Sequence, residues 1–227
     1  GVCFACVLPL VYFLRRPDGP GLIHWTDEGT VNFPEGEGPQ ALAQYYVNQI
    51  KPYDRAPHLY IGFPARYVDH GLTPSTKQLP EWDLREKRMT VTPRYGTAFT
   101  DSVFMTTRDG TNFRQSNDVF LPPGLRTKHN WSYGDNYIAR HVVETASTKD
   151  DSPRELSLYA TESYFTGRNS RLRRYSLRID GFSSIHAKLQ HGEFTTKPIT
   201  ATLSASVKSM LETKAGQLRA GANTAWV

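Results

Sequence analysis

His58-Leu-Tyr-Ile-Gly-Phe-Pro64 and Phe99-Thr-Asp-Ser-Val-Phe-Met-Thr-Thr107 are the stretches that decide the fold. Both are dense in aromatic and β-branched residues, the composition of a half-buried strand. Three further runs read the same way: Asn136–Glu144, Leu156–Ser163 and Leu172–Ile179. Turn chemistry punctuates them at Arg108-Asp109-Gly110-Thr111, Pro122-Pro123-Gly124, Thr166-Gly167-Arg168-Asn169 and Asp180-Gly181. The expectation is an all-β chain of short strands and hairpins.

Two stretches carry helical signals. Pro39–Ile50 places Leu42, Tyr45, Tyr46 and Ile50 close to helical spacing. Leu79–Met89 is charged and opens with Pro80 and Glu81, a helix start. Both read as insertions on a β scaffold. Val2–Leu14 is almost wholly apolar and reads as one buried strand. It is too short for a membrane helix, which needs about 20 residues. No membrane partner is expected. Glu193–Lys197, Thr200–Val207 and Gly216–Ala220 read as short strands of a second all-β unit.

Composition narrows the function. The 227 residues include 4 Trp, 12 Tyr and 11 Phe, enough aromatic surface for a packed core. A net charge of +5 is a mild excess, not a clustered basic stripe. Nucleic-acid binding would need Arg171, Arg173, Arg174 and Arg178 on one surface with exposed aromatics, and no nucleic acid is expected as a partner. Cys3 and Cys6 form a single C-x-x-C, whereas a structural zinc site needs four ligands. No metal site and no cofactor is indicated. There is no phosphate-binding glycine loop and no G-x-S-x-G elbow, so nucleotide chemistry and serine hydrolysis have no footing.

Aromatic strand pairs recur along the chain with hairpins between them. An inner strand, two middle strands and a polar outer strand make a four-stranded blade. Blades of this kind build β-propellers at about 40–50 residues each. Residues 22–190 have room for about three, and closure needs about four. A propeller reading therefore places further blades outside this chain. The competing all-β reading is a sandwich.

Leu22-Ile-His-Trp-Thr-Asp-Glu-Gly29, Arg55-Ala-Pro-His-Leu-Tyr-Ile-Gly-Phe-Pro-Ala-Arg-Tyr67, Thr100-Asp-Ser-Val-Phe-Met105, Tyr133-Gly-Asp-Asn-Tyr137 and Glu155-Leu-Ser-Leu-Tyr-Ala-Thr-Glu162 resemble a group of uncharacterised bacterial proteins. These in turn resemble the five-bladed β-propellers of glycoside hydrolase family 32. The resemblance spans about three quarters of the chain. It implies an apolar segment over 1–21 that reads as a truncated blade strand, propeller blades over 22–190, and the start of a C-terminal β-sandwich over 191–227. Thr107-Arg-Asp-Gly-Thr-Asn-Phe113 resembles a sialidase-type aspartate box one residue short. The chain departs from the family pattern elsewhere too: Gly21 stands where such propellers commonly carry Asp, before Leu22 and Trp25. It has no Trp-x-Asn-Asp-Pro-Asn string for the nucleophile, and Arg55 stands where related hydrolases often carry Glu.

The resemblance implies a carbohydrate-active protein and a carbohydrate ligand. It is compatible with a secreted or periplasmic location. Glycosidic cleavage needs two carboxyl groups flanking the bond. The candidates are Glu162 as the acid, with Asp101 or Asp135 as base or transition-state stabiliser. Arg55, His58, Arg66, Asn136 and Tyr137 are the candidate substrate-binding residues. In Tyr133–Tyr137 the aromatics would stack on a sugar ring, and Asp135 and Asn136 would bond its hydroxyls. The alternative is a non-catalytic carbohydrate-binding or scaffold module. The two readings part on whether Asp101, Asp135 and Glu162 converge.

Overall fold

The computed structural model describes residues 2–7, 10–15, 26–38, 43–47, 49–116, 118–164 and 170–184, with backbone alone at 2–7, 10–15, 26–28 and 140. The chain divides into two compact units, Gly1–Ser183 and Ser184–Val227. The strands expected at Glu193–Lys197, Thr200–Val207 and Gly216–Ala220, and the turn at Thr166–Asn169, lie outside the described residues.

The first unit is built from antiparallel strands in four sheets, as an all-β chain should be. β1 (Val2–Val7) and β2 (Leu10–Arg15) pair from Val2↔Arg15 to Val7↔Leu10, and β3 (Thr26–Thr30) adds to β2. The apolar start is thus two strands rather than the single strand expected.

The centre of the unit is one long folded hairpin. β6 (Ala56–Gly62) continues into β7 (Ala65–Asp69), and β8 (Ala98–Ser102) continues into β9 (Met105–Thr107). β6 pairs with β9 and β7 with β8 in a single unbroken register, from Tyr60↔Thr107 through Gly62↔Met105 to Asp69↔Ala98. The arms bend at Phe63-Pro64 and Val103-Phe104, where the Val103 N–H still donates to the Pro64 carbonyl at 3.1 Å. β4 (Ala43–Tyr46) lies along β7 and β5 (Lys51–Tyr53) along β6. β10 (Arg114–Gln115) flanks β9. Within the sheets the orders are β10-β9-β6-β5 and β4-β7-β8, and the bent arms β4–β5, β6–β7 and β8–β9 with β10 follow one another as in an antiparallel meander.

Pro39–Ile50 is not a helix: its described part forms β4. Ala43 and Tyr45 are buried while Gln44 and Tyr46 are half-buried, a period of two. The hydrogen bonds offered by β7 outweigh a helical spacing of side chains that is incidental. Val47 and Gln49 then take φ of 47° and 51°, ending the strand before β5.

Between β7 and β8 the chain inserts α1 (Pro74–Lys77), α2 (Trp82–Met89) and α3 (Arg94–Thr97). The helix expected at Leu79–Met89 is α2, starting three residues later, after Glu81 at φ 56°. β11 (Ile138–Thr145), β12 (Glu155–Glu162) and β13 (Arg171–Arg178) form the last sheet, matching the three runs read from sequence.

Alternation across the bend sorts the core into two clusters. Phe63 and Phe104 pack with Tyr53, Ile61, Ile138, Leu156 and Leu158, joining the hairpin to β11 and β12. Phe182 stacks on Phe104 with centroids 5.1 Å apart. On the other face Val103 and Met105 pack with Tyr45, Ile50 and Phe113. Each fully buried Phe or Met side chain stabilises by about 1.5–3 kcal/mol.

The aspartate-box-like turn joins β9 to β10. The Asp109 carboxylate accepts from the Thr107 hydroxyl (3.0 Å), the N–H groups of Thr111 (2.9 Å) and Asn112 (2.8 Å), and the Asn112 amide (2.7 Å). The Asn112 side chain, then the two backbone donors, hold this carboxyl well below its usual range. Gly110 takes φ 83°, a left-handed conformation that glycine adopts without steric cost. Phe113 then enters the core.

Candidate functional site

The segment Asn130–Tyr137 carries the densest chemistry in the unit. Its backbone is fastened to β8: the Thr100 hydroxyl donates to the Asp135 carbonyl at 2.5 Å, and the Ser102 hydroxyl donates to the Asn136 carbonyl. It is also fastened to the end of β12, where the Asn136 N–H donates to the Thr161 carbonyl at 2.8 Å. Gly134 sits at φ 88°, and a Cβ there would lie 2.1 Å from the Tyr164 ring. Only glycine allows both the left-handed backbone and the ring overhead.

Asp135 is 2% exposed. Its carboxylate accepts from the N–H groups of Ser132 (3.2 Å) and Tyr164 (3.1 Å), and also from Ser163. Burial pushes its pKa from 3.8 up to about 6, against the pull of those donors and of Arg85. Both carboxylate oxygens are committed to the loop's own backbone. Asp135 is therefore a positioning residue for the turn.

The folded chain thus holds a proton on Asp135 at pH values where the unfolded chain has released it. Stability is favoured below the unfolded value and falls as pH rises through the folded one. The expected decline between about pH 4 and pH 6 is on the order of 3 kcal/mol from this group. Urea unfolding of the wild type and Asp135→Asn across that range checks it. The variant should lack this part of the slope, and identical profiles would remove the assignment.

Beneath the loop lies Arg85, 2% exposed. Its guanidinium donates to the carbonyls of Pro80 (2.7 Å), Gly96 (3.3 Å), Asn130 (3.2 Å) and Trp131 (2.6 Å). Burial lowers its pKa to about 10, so it stays charged at neutral pH.

Around the turn is a sheet of phenol rings. Tyr46 and Tyr67 lie 5.6 Å apart, Tyr67 and Tyr133 5.7 Å, Tyr95 and Tyr133 5.8 Å, and Tyr137 and Tyr164 6.4 Å. These contacts form two groups, Tyr46, Tyr67, Tyr133 and Tyr95 in one and Tyr137 with Tyr164 in the other. Tyr67 is buried, Tyr46, Tyr95, Tyr133 and Tyr137 are half-buried, and Tyr164 is exposed. The Arg94 guanidinium stands over the Tyr95 ring, 5.6 Å from its centroid. The Ser132 hydroxyl and the Asn136 amide nitrogen are buried within the turn without a hydrogen-bond partner. Asn136 holds φ 59°, a conformation asparagine tolerates better than most residues.

The other candidates lie elsewhere or are committed. Asp101 follows Thr100 on β8 and so faces the opposite side of the sheet from the Asp135 turn. There it forms a two-pronged pair with its cross-strand neighbour Arg66, at 2.9 and 2.8 Å. Glu162, at the end of β12, accepts from Arg171 (2.7 Å), Arg173 (2.5 Å) and Tyr175 (2.6 Å). Its partial burial would raise its pKa, but Tyr175 and the two arginines outweigh that and lower it. A general acid needs the reverse. Arg55 is exposed and bridges Asp180 (3.2 Å) and Glu144 (3.4 Å). His58 is exposed on β6. Asn136 and Tyr137 alone of the candidate binders belong to the tyrosine surface.

The sequence reading missed Arg85, Tyr46, Tyr67, Tyr95 and Tyr164. The available signal was the density of aromatics in Trp131-Ser-Tyr-Gly-Asp-Asn-Tyr137. The remaining tyrosines come from strands and helices distant in the chain. Among the described residues no helix is long and apolar enough to cross a membrane. The chain matches no family model, no curated protein and no solved structure.

Proposed function

We propose that this chain is a carbohydrate-binding β module whose ligand lies on the tyrosine surface around Asp135–Tyr137. The observation that carries the reading is the cluster of half-buried phenol rings of Tyr46, Tyr95, Tyr133 and Tyr137, with Tyr164 exposed beside them. Phenol rings stack on the C–H faces of a pyranose or furanose, and their hydroxyls bond its edges. Asn136, at φ 59°, holds the turn that presents Tyr133 and Tyr137.

The same geometry favours binding over cleavage. Asp101 faces away from the turn, and the oxygens of Asp135 and Glu162 are held by the protein's own donors. We carry the propeller-like architecture and its likeness to family 32 forward as part of this proposal. The blade-like order of β4 to β10 supports it.

Affinity electrophoresis of the full chain through gels containing soluble fructans, glucans, xylan or pectin tests the reading. At least one polysaccharide should retard the protein. Tyr133→Ala and Asn136→Gly should each weaken retardation about tenfold, the equivalent of 1.4 kcal/mol. Retardation by none, or unchanged retardation of both variants, would sink it. Release of reducing ends from a retarding polysaccharide would instead favour the hydrolase reading.

A further inference from the structure

A separate cleft of about 450 Å³ opens between the inserted helices and the outer side of the Asn130–Tyr137 segment. That is within the usual range of small-molecule sites, about 300–1,000 Å³. Its aromatic wall is Phe99 and Trp131, with centroids 5.6 Å apart, extended by His70 at 6.0 Å from Phe99. The Trp131 indole is fixed by its N–H, which donates to the Gly124 carbonyl at 2.8 Å. The Arg126 guanidinium stands 5.6 Å from the Trp131 ring centroid.

The polar part of the lining divides in two. The Thr76 hydroxyl donates to the Gly71 carbonyl (2.8 Å) and the Thr97 hydroxyl to Asp69 (2.7 Å), so both are used by the protein. The side chains of His70, Ser75 and Arg126 make no hydrogen bond or ion pair with the described residues. None of the residues lining the cleft is an Asp or Glu. A guanidinium beside an aromatic face, with no carboxylate in the lining, is matched by a ring that carries its own anion. The planar fork of arginine fits a carboxylate with two parallel bonds. The exposed Ser75 hydroxyl adds a partner for ring hydroxyls.

We propose that this cleft binds a carboxylated sugar ring, of the hexuronate type, with Trp131 and Phe99 against the ring and Arg126 on the carboxylate. The site is distinct from the tyrosine surface and does not depend on it.

The test is a titration of the full chain with galacturonate, galactose and benzoate, followed by calorimetry. Galacturonate should bind at least tenfold tighter than galactose and tighter than benzoate. Arg126→Gln, an exposed substitution whose fold is checked by circular dichroism, should lose at least tenfold for galacturonate and little for galactose. Tyr133→Ala should leave galacturonate binding unchanged, so a failure of the tyrosine surface reads separately from a failure of the cleft. Equal binding of galacturonate and galactose, or an unaltered Arg126→Gln, would overturn the anion site. Benzoate binding as tightly as galacturonate would overturn the sugar ring. Loss of galacturonate binding in Tyr133→Ala would overturn a separate cleft.

Discussion

Asp101→Ala should lose about 3–5 kcal/mol of stability, the cost of leaving one member of a buried ion pair without the other. The Asp101 side chain is 4% exposed and that of Arg66 16%. Arg66 also lies beside Tyr45, its cross-strand neighbour on β4. Removing the carboxylate strands the guanidinium among β4, β7 and β8. Replacing both partners with apolar residues, Arg66→Met with Asp101→Leu, should recover most of the loss, because neither charge then needs solvation. Urea unfolding of the two variants and the wild type measures this. A loss below about 1 kcal/mol would place the pair in the solvent-screened class. Polysaccharide retardation should survive in whatever fraction of Asp101→Ala remains folded, since Asp101 faces away from the tyrosines.

Arg85→Met should cost on the order of 4 kcal/mol, since it removes the donor shared by four backbone carbonyls. Two of those carbonyls, Asn130 and Trp131, belong to the segment that carries both proposed sites. The variant should therefore also speed amide exchange across residues 130–137. Arg85→Lys keeps the charge but not the planar fork, and should fall between. A loss under about 1 kcal/mol with unchanged exchange would show that the segment is held by β8 and β12 alone.

The strands were legible because their information is local. Leu156–Ser163 and Leu172–Ile179 alternate and are bounded by turn residues, so β12 and β13 emerge within a residue or so of their observed limits. Leu79–Met89 was legible for the same reason. Pro39–Ile50 was misread because Leu42, Tyr45, Tyr46 and Ile50 fit a helical period, and nothing local reveals the strand β7 waiting to pair. Of the candidate site residues, Asp135, Asn136 and Tyr137 share one turn, so their proximity needed no tertiary knowledge. The Arg66–Asp101 pair spans 35 positions and exists only because one hairpin register sets the two opposite each other. Glu162 was the acid candidate in sequence, but strand pairing brings Arg171 directly across from it.

The sequence by itself determined the all-β class, the strands β6, β11, β12 and β13 to within a few residues, and the grouping of Tyr133 to Tyr137 in one turn. These follow from side-chain period, turn residues and short-range steric demands, which act within a few residues. Which carboxylates are engaged, which tyrosines join the turn and where Arg85 reaches were decided by the tertiary structure alone. Burial, ion pairing and the sharing of backbone acceptors depend on strands and loops brought together from 35 to 127 positions apart, and no local pattern encodes that distance.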